Sequence, residues 1–316
     1  MNRRSACALG AGLALLALIG SGPLRAQSGA PFLVEETGEA FERLQDAVDA
    51  IGGGRGTILI APGRYRDCAV QESGRVAFVA ERAGAAVFDG GVCEGKATLV
   101  LRGRSARVEG LVFTGQQVPD GNGAGIRIEE GDLAVAFASF VDAQCGILSA
   151  SDPSGAITVE RSTFSGLGGR SDGGDVHSIY VGRYGALTVA NSRFERGTGG
   201  HYLKSRAPRI AVLDSSFDDS RGRSTNYLID LPDGAVGRIA GNTFVQGVGK
   251  ENYGTMIAVA AEDGENPSAG LTIEGNIASV APGFRWRTAF VGDWSGERLT
   301  IRDNRVGPGI TPFARR

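Results

Sequence analysis

The chain has two histidines, and they fall close together in the middle of the sequence. His201 opens His201-Tyr202-Leu203-Lys204-Ser205-Arg206. His177 opens His177-Ser178-Ile179-Tyr180-Val181-Gly182, 24 residues earlier. Laid one over the other without a gap, the segments set Tyr180 on Lys204 and Val181 on Ser205. A third copy, Asn226-Tyr227-Leu228-Ile229-Asp230-Leu231, follows 25 residues on. Imidazole, phenol, ammonium and guanidinium groups returning at one interval suit proton transfer beside a negative charge. A cation neutralises a carboxylate, the adjoining carbon becomes acidic, and one neighbour takes its proton while another protonates the leaving oxygen.

A segment that returns at such an interval is a structural repeat, and the rest of the chain bears this out. One strand type ends in phenylalanine: Phe113, Phe140, Phe164, Phe194, Phe217 and Phe244, each preceded by turn-forming or small polar residues. The series weakens to Gly275-Asn276-Ile277 and Asn304-Arg305-Val306. A second type runs through Gly125-Ile126-Arg127-Ile128, Gly146-Ile147-Leu148-Ser149, the two histidine segments, Tyr227-Leu228-Ile229-Asp230 and Met256-Ile257-Ala258-Val259. No helix-length pattern lies between them, and the dense leucine consensus and hairpin blades of other repeat classes are missing. The expected fold is an all-β solenoid whose strands pair with the same strand of the next coil.

Strand periodicity then assigns faces. Ile126, Ile147, Ile179, Leu203, Leu228 and Ile257 should point inward, as should Ser149, Val181, Ser205, Asp230 and Val259. Arg127, Leu148, Tyr180, Lys204, Ile229 and Ala258 should point outward. Tyr202 and Tyr227 flank this column on one side and Arg206 on the other. With parallel strands about 4.8 Å apart, Tyr180, Lys204, Tyr202 and Arg206 form one patch, the two histidines stack beside it, and Arg127 lies two coils away.

The ends and the bulk set the frame. Residues 1–26 read as a secretory signal, with Arg3 and Arg4 before an apolar run and Ala26 at the cut, so the mature chain is expected in the periplasm or outside the cell. Residues 27–40 read as an N-terminal tail, 41–307 as the solenoid domain and 308–316 as a C-terminal tail. Phe41 to Ile51 carries apolar residues at helical spacing and ends at Gly52-Gly53-Gly54, a helix suited to capping the array. Cys68 and Cys93 stand one repeat apart and can bridge adjacent coils in an oxidising compartment, which leaves Cys145 free and buried. The formal net charge of −2 gives no whole-chain field for nucleic acid or an anionic membrane. No second apolar stretch is long enough to span a bilayer. The chain is expected to work as a monomer.

The alternating strands, the Asn-Ser-x-Phe-like turns and the opening strand-Pro-Gly-x-Tyr piece resemble the right-handed parallel β-helix family typified by pectate lyases, over residues 41–307. The resemblance implies a right-handed parallel β-helix with a short N-terminal capping helix. It also implies β-elimination on an acidic, uronate-containing polysaccharide, with Lys204 as base and Arg206 as carboxylate clamp or acid. A lysine in that role needs a lowered pKa, which Arg206 and His201 would promote by like-charge repulsion. His201 and Tyr180 would assist, and His177, Tyr202, Tyr227 and Arg127 would bind substrate. Asp230, an inward carboxylate by its column, can hydrogen-bond Ser205, pair with Lys204 or Arg206 through a local bulge, or ligate the Ca²⁺ that often helps in this family, and Asp175, with Asp172 beside it on the Gly166–Asp175 loop, is the other candidate ligand. Uronate epimerisation uses the same proton abstraction. Glycoside hydrolysis would need carboxylates on one face, and Asp214, Asp218 and Asp219 fall on the other strand type. The rival of a different class is a non-catalytic glycan-binding or cell-surface β-helix.

Overall fold

A computed structural model describes residues 29–171 and 174–316. Among the described residues three long sheets of twelve, ten and ten strands run along the chain, and from Arg55–Ile60 onward each of their strands pairs in parallel with its counterpart one coil away. This is a parallel β-helix of the right-handed type. Residues 1–26 and Asp172, read above as a signal and a candidate ligand, lie outside the described residues.

The sheet built from the phenylalanine strands shows why the repeat is spaced as it is. Phe140 opposes Phe113 and Phe164, and Phe217 opposes Phe194 and Phe244. From Phe88 to Phe244 seven rings stack face to face, with centroids 4.6 to 5.8 Å apart. The stack is buried throughout, so each coil hands the next an apolar surface of the same shape. Two residues ahead of each later ring a polar column closes the turn. Ser162, Ser192 and Ser215 receive backbone N–H groups from the neighbouring coil, and Asn242, Asn276 and Asn304 continue the series.

The twelve-stranded sheet was not separated out by the sequence reading. Its strands, such as Ala156–Glu160, Ala186–Ala190 and Arg209–Leu213, alternate buried and partly open residues but carry no signature residue. The remaining ten-stranded sheet holds the histidine segments and is called the site sheet below. Its register corrects one expectation. Ile229, not Leu228, opposes Leu203 and Ile257, and Asp230 stands opposite Lys204. The third copy is therefore offset by one residue, which moves Asp230 from the inward to the outward column.

Both tails belong to the solenoid. Phe32–Val34 pairs antiparallel with Glu39–Phe41 and with Arg55–Ile60, and Phe32 and Val34 are buried. Ile310–Arg315 is the last strand of the site sheet. The helix Leu44–Ile51 buries Leu44, Ala47 and Val48 against the first coil. Its Gln45 side chain donates to the Val70 carbonyl at 3.0 Å and accepts from the Val70 N–H at 2.7 Å. That satisfies the first strand of the site sheet, which has no preceding coil. Cys68 and Cys93 form a disulfide between adjacent coils, Cα atoms 5.5 Å apart, and Cys145 is a buried free thiol. Among the described residues no helix is long and apolar enough to cross a membrane.

Candidate acid–base site on the outer face of the site sheet

The histidine segments form a ladder along one edge of the site sheet. The rings of His177 and His201 stack at 4.9 Å and those of His201 and Tyr227 at 5.2 Å, so Tyr227 takes the histidine position in the next coil. Gly200 makes this approach possible. Its backbone is left-handed, at φ 56°, and a Cβ there would lie 2.1 Å from the Val176 carbonyl and 2.8 Å from His177 Nδ1. The backbone N–H of His201 donates to His177 Nδ1 and that of Tyr227 to His201 Nδ1, both at 3.0 Å. With Nδ1 accepting, each neutral imidazole carries its proton on Nε2. Burial, then Lys204, pushes His177 down to about 3. Burial, then His177 and Lys204, holds His201 well below its ordinary value. Both rings are therefore neutral donors toward the site, and neither is poised as a base.

Next to the ladder lies a pocket of about 470 Å³ lined by Asp175, His177, Tyr180, His201, Lys204 and Arg206 on one side and Asn226, Tyr227, Asp230 and Glu262 on the other. Lys204 Nζ is 3.2 Å from Asp230 Oδ2 and 2.5 Å from Glu262 Oε1. His201 Nε2 is 3.4 Å from the same Asp230 oxygen. Arg206 bonds the other Glu262 oxygen and the buried Asp233, and its Nε reaches the Tyr180 hydroxyl at 3.3 Å. A groove of about 560 Å³ on the outside of the twelve-stranded sheet is larger, but every charged residue lining it is exposed and none is set for proton transfer.

The electrostatics differ from expectation in one respect. Lys204 was expected to have a lowered pKa. Burial does oppose its charge, but Asp230 and Glu262 outweigh that and hold the ammonium above its ordinary range. The reason is that Lys204 is not on a solvated face. The segment after strand Thr255–Val259 folds back over it, carrying Glu262, and leaves the lysine 8 % exposed. Glu262 is lowered despite burial, by its bonds to Lys204 and Arg206. Asp230 is raised to about 6, because burial costs its charge more than Lys204 returns. Its Oδ1 is buried with no hydrogen-bond partner, as is Asn226 Oδ1 in the same wall.

The structure thus brings together Lys204, Arg206, His201, His177, Tyr180, Tyr227, Asp230 and Asp175. Two expected residues fall elsewhere. Tyr202 is buried, with its hydroxyl donating to Asp219 at 2.8 Å inside a network that includes the fully buried Lys250. Arg127 stands in the Tyr180 column with Leu148 between them, but it pairs with Glu129 and does not line the pocket. The Ca²⁺ reading does not fit Asp230, whose Oδ2 already faces an ammonium and an imidazole N–H. Among the described residues no three His, Cys, Asp or Glu side chains converge as a metal site. Glu262, Asp233 and Asn226 were missed. The acid-rich Glu262-Asp263-Gly264-Glu265 was the available signal, but it lies in a loop with no counterpart in other coils.

No family model and no curated protein matches the chain. Among solved structures it is similar to ORF18 of Geobacillus virus E2, at 13 % identity and TM-score 0.48 over 85 % of this chain and 55 % of that one. It is also similar to a PL6 family alginate lyase, at 16 % and 0.46 over 84 % and 39 %. A pectin methylesterase complexed with a hexasaccharide follows at 10 % and 0.41 over 87 % and 78 %. The chain thus spans about half or less of the length of the first two. Likeness at this level adds nothing to the sheet topology described above.

Proposed function

We propose that the chain cleaves an acidic, uronate-containing polysaccharide by β-elimination at this pocket. The observation that carries the reading is the double clamp on Glu262: two cations from one short segment, Lys204 and Arg206, hold one carboxylate at the mouth of an open pocket. A uronate carboxylate exchanged for that of Glu262 meets the same pair. Arg206 offers one guanidinium N–H, held in place by its bonds to Tyr180 and Asp233, and Lys204 a compact charge, and together they make the adjoining C5 proton acidic.

The base and the acid follow from the charges. Lys204 is held protonated, so its role here is to protonate the departing glycosidic oxygen, not to take the C5 proton. Tyr180, with Arg206 Nε beside its oxygen, is the candidate base once ionised. The C5–H bond gives its proton to the phenolate, the C4–C5 double bond forms, the C4–O bond breaks and Lys204 supplies the proton that oxygen needs. A proton passed back from Tyr180 to Lys204 restores the site. The histidine ladder supplies fixed N–H donors. A secreted or periplasmic setting belongs to the same proposal and is supported by the Cys68–Cys93 bridge.

A second reading has its own support. Asp230 and Glu262 both contact the Lys204 ammonium, and a carboxyl raised to about 6 beside an ionised one is the arrangement that hydrolysis of a glycosidic bond uses. Incubation with alginate, polygalacturonate and hyaluronate, followed at 235 nm and by reducing-end assay, separates the readings. Elimination gives both signals and hydrolysis gives reducing ends alone. Silence in both assays, with the uronate configuration unchanged by NMR and retention on an acidic-polysaccharide column, identifies a binding protein.

A further inference from the structure

Three aromatic rings stand on the two coils that follow the pocket. Tyr253 precedes strand Thr255–Val259, and Phe284 and Trp286 precede strand Thr288–Asp293, the next strand of the site sheet. The rings of Tyr253 and Trp286 lie parallel at 3.9 Å and 11°. Phe284 meets Trp286 edge-on at 5.5 Å and 67°. The Tyr253 hydroxyl donates to the Val248 carbonyl at 2.8 Å, which fixes the lower ring. Trp286 remains 44 % exposed, a large value for a ring so firmly seated. Its sequence neighbours Arg285 and Arg287 are exposed, and among the described residues neither has an ion pair. This contrasts with Lys204 and Arg206, each matched by carboxylates.

The cluster is continuous with the pocket. Asn252, adjacent to Tyr253, stands beside the side chain of Tyr227, which lines the pocket wall. The strand after Trp286 lies three places beyond that of Lys204 in the site sheet, about 14 Å along the axis at 4.8 Å per coil. A rigid aromatic face flanked by unmatched guanidinium groups suits a ligand with flat C–H faces and negative charge. We propose that Tyr253, Phe284 and Trp286, with Arg285 and Arg287, form a remote subsite that binds an acidic glycan chain several sugar rings from the bond being broken. The ligand class rests on the function proposed above, whereas the platform itself does not depend on the chemistry of the pocket.

The chain contains two tryptophans, so fluorescence reads the platform directly. In a Lys204→Ala, Trp294→Phe protein, Trp286 is the sole indole and cleavage of the titrated chain is slowed about 100-fold or more. Hexameric oligoalginate, oligogalacturonate and hyaluronate are titrated in turn, with cellohexaose as the neutral control and acidic dimers as the short control. The expected result is a saturable emission change with at least one acidic hexamer, little with its dimer and none with cellohexaose, and at least a tenfold weaker midpoint when Arg285 and Arg287 are both changed to Ala. Flat titrations with every acidic hexamer, or an equal response to cellohexaose, overturn the platform. Cleavage by the wild type with a flat Trp286 titration removes the platform and leaves the proposed function. Saturable binding at Trp286 with no acidic chain cleaved by the wild type removes the function and leaves the platform.

Discussion

The molecule contains two ring ladders built by the same coil geometry, and they do different work. In the phenylalanine sheet seven rings repeat at the coil spacing, carry no heteroatom and meet no water. At the edge of the site sheet His177, His201 and Tyr227 stack at nearly the same distances. The Nδ1 atoms of the two histidines accept backbone N–H groups from the next coil, so the second ladder supplies a hydrogen-bonding function as well as stacking. It turns the remaining N–H of His201 toward Asp230, against which Lys204 packs. The same stacked geometry serves packing in one column and, with imidazole beside Lys204 and Asp230, charge in the other. The first ladder should govern stability alone, and the second should govern how the site responds to protons.

Breaking the phenylalanine ladder should give the largest effect. Phe194 is wholly buried between Phe164 and Phe217, and Phe194→Ala removes two stacking partners and leaves a cavity. The expected loss is about 3–5 kcal/mol in denaturant unfolding, with the turnover of the folded fraction preserved. A loss below about 1 kcal/mol would mean that the ladder is not what holds the coils in register.

The histidine ladder should show itself in pH dependence. His177 lies near 3 in the folded chain against an ordinary 6.5. The unfolded chain therefore takes up a proton below pH 6.5 that the folded chain refuses, and stability falls from there toward pH 3, at up to about 1.4 kcal/mol per unit. Asp230 acts in the opposite sense. With a folded value near 6 against 3.8, it adds stability as pH drops from 6 toward 4. His177→Gln should flatten the fall between pH 6.5 and 5, and Asp230→Asn should steepen it. Chemical denaturation at stepped pH measures both, and identical slopes in all three proteins would contradict the assignment.

The smallest expected effect concerns Glu262. As the carboxylate that occupies the clamp before substrate arrives, it competes with a uronate. Glu262→Gln should lower KM a few-fold on an acidic polymer and leave kcat nearly unchanged. A fall in kcat by 100-fold or more would instead make Glu262 a participant in proton transfer, as the hydrolytic reading requires.

How far the sequence could be read follows the same division. The phenylalanine column was legible because one large ring recurs with a fixed polar partner two residues ahead, and a single inward register fits it. Lys204, Arg206, His177, His201 and Tyr180 were placed together for the same reason, since their segments repeat without a gap. Asp230 was misplaced because Leu228-Ile229 offers two adjacent apolar residues, either of which can fill the inward position. Tyr202 was set on the outer face because a tyrosine at a strand margin satisfies either environment, and its partner Asp219 lies in a turn that the pattern does not align. Glu262 and the upward shift of the Lys204 pKa depend on a loop folding back over an earlier coil, a long-range contact that no local periodicity encodes.

The central claim is that Lys204 and Arg206 together hold and act on a uronate. The most direct measurement is the initial rate at 235 nm on the acidic polysaccharide the wild type cleaves fastest, for wild type, Lys204→Ala, Arg206→Lys and Arg206→Ala, each first shown to be folded by far-UV circular dichroism. The account predicts a fall of roughly 100-fold or more for Lys204→Ala and for Arg206→Ala, with Arg206→Lys also impaired because an ammonium cannot hold Tyr180, Asp233 and the carboxylate on one planar group. Full activity in both alanine proteins would place the chemistry elsewhere on the solenoid and contradict the account.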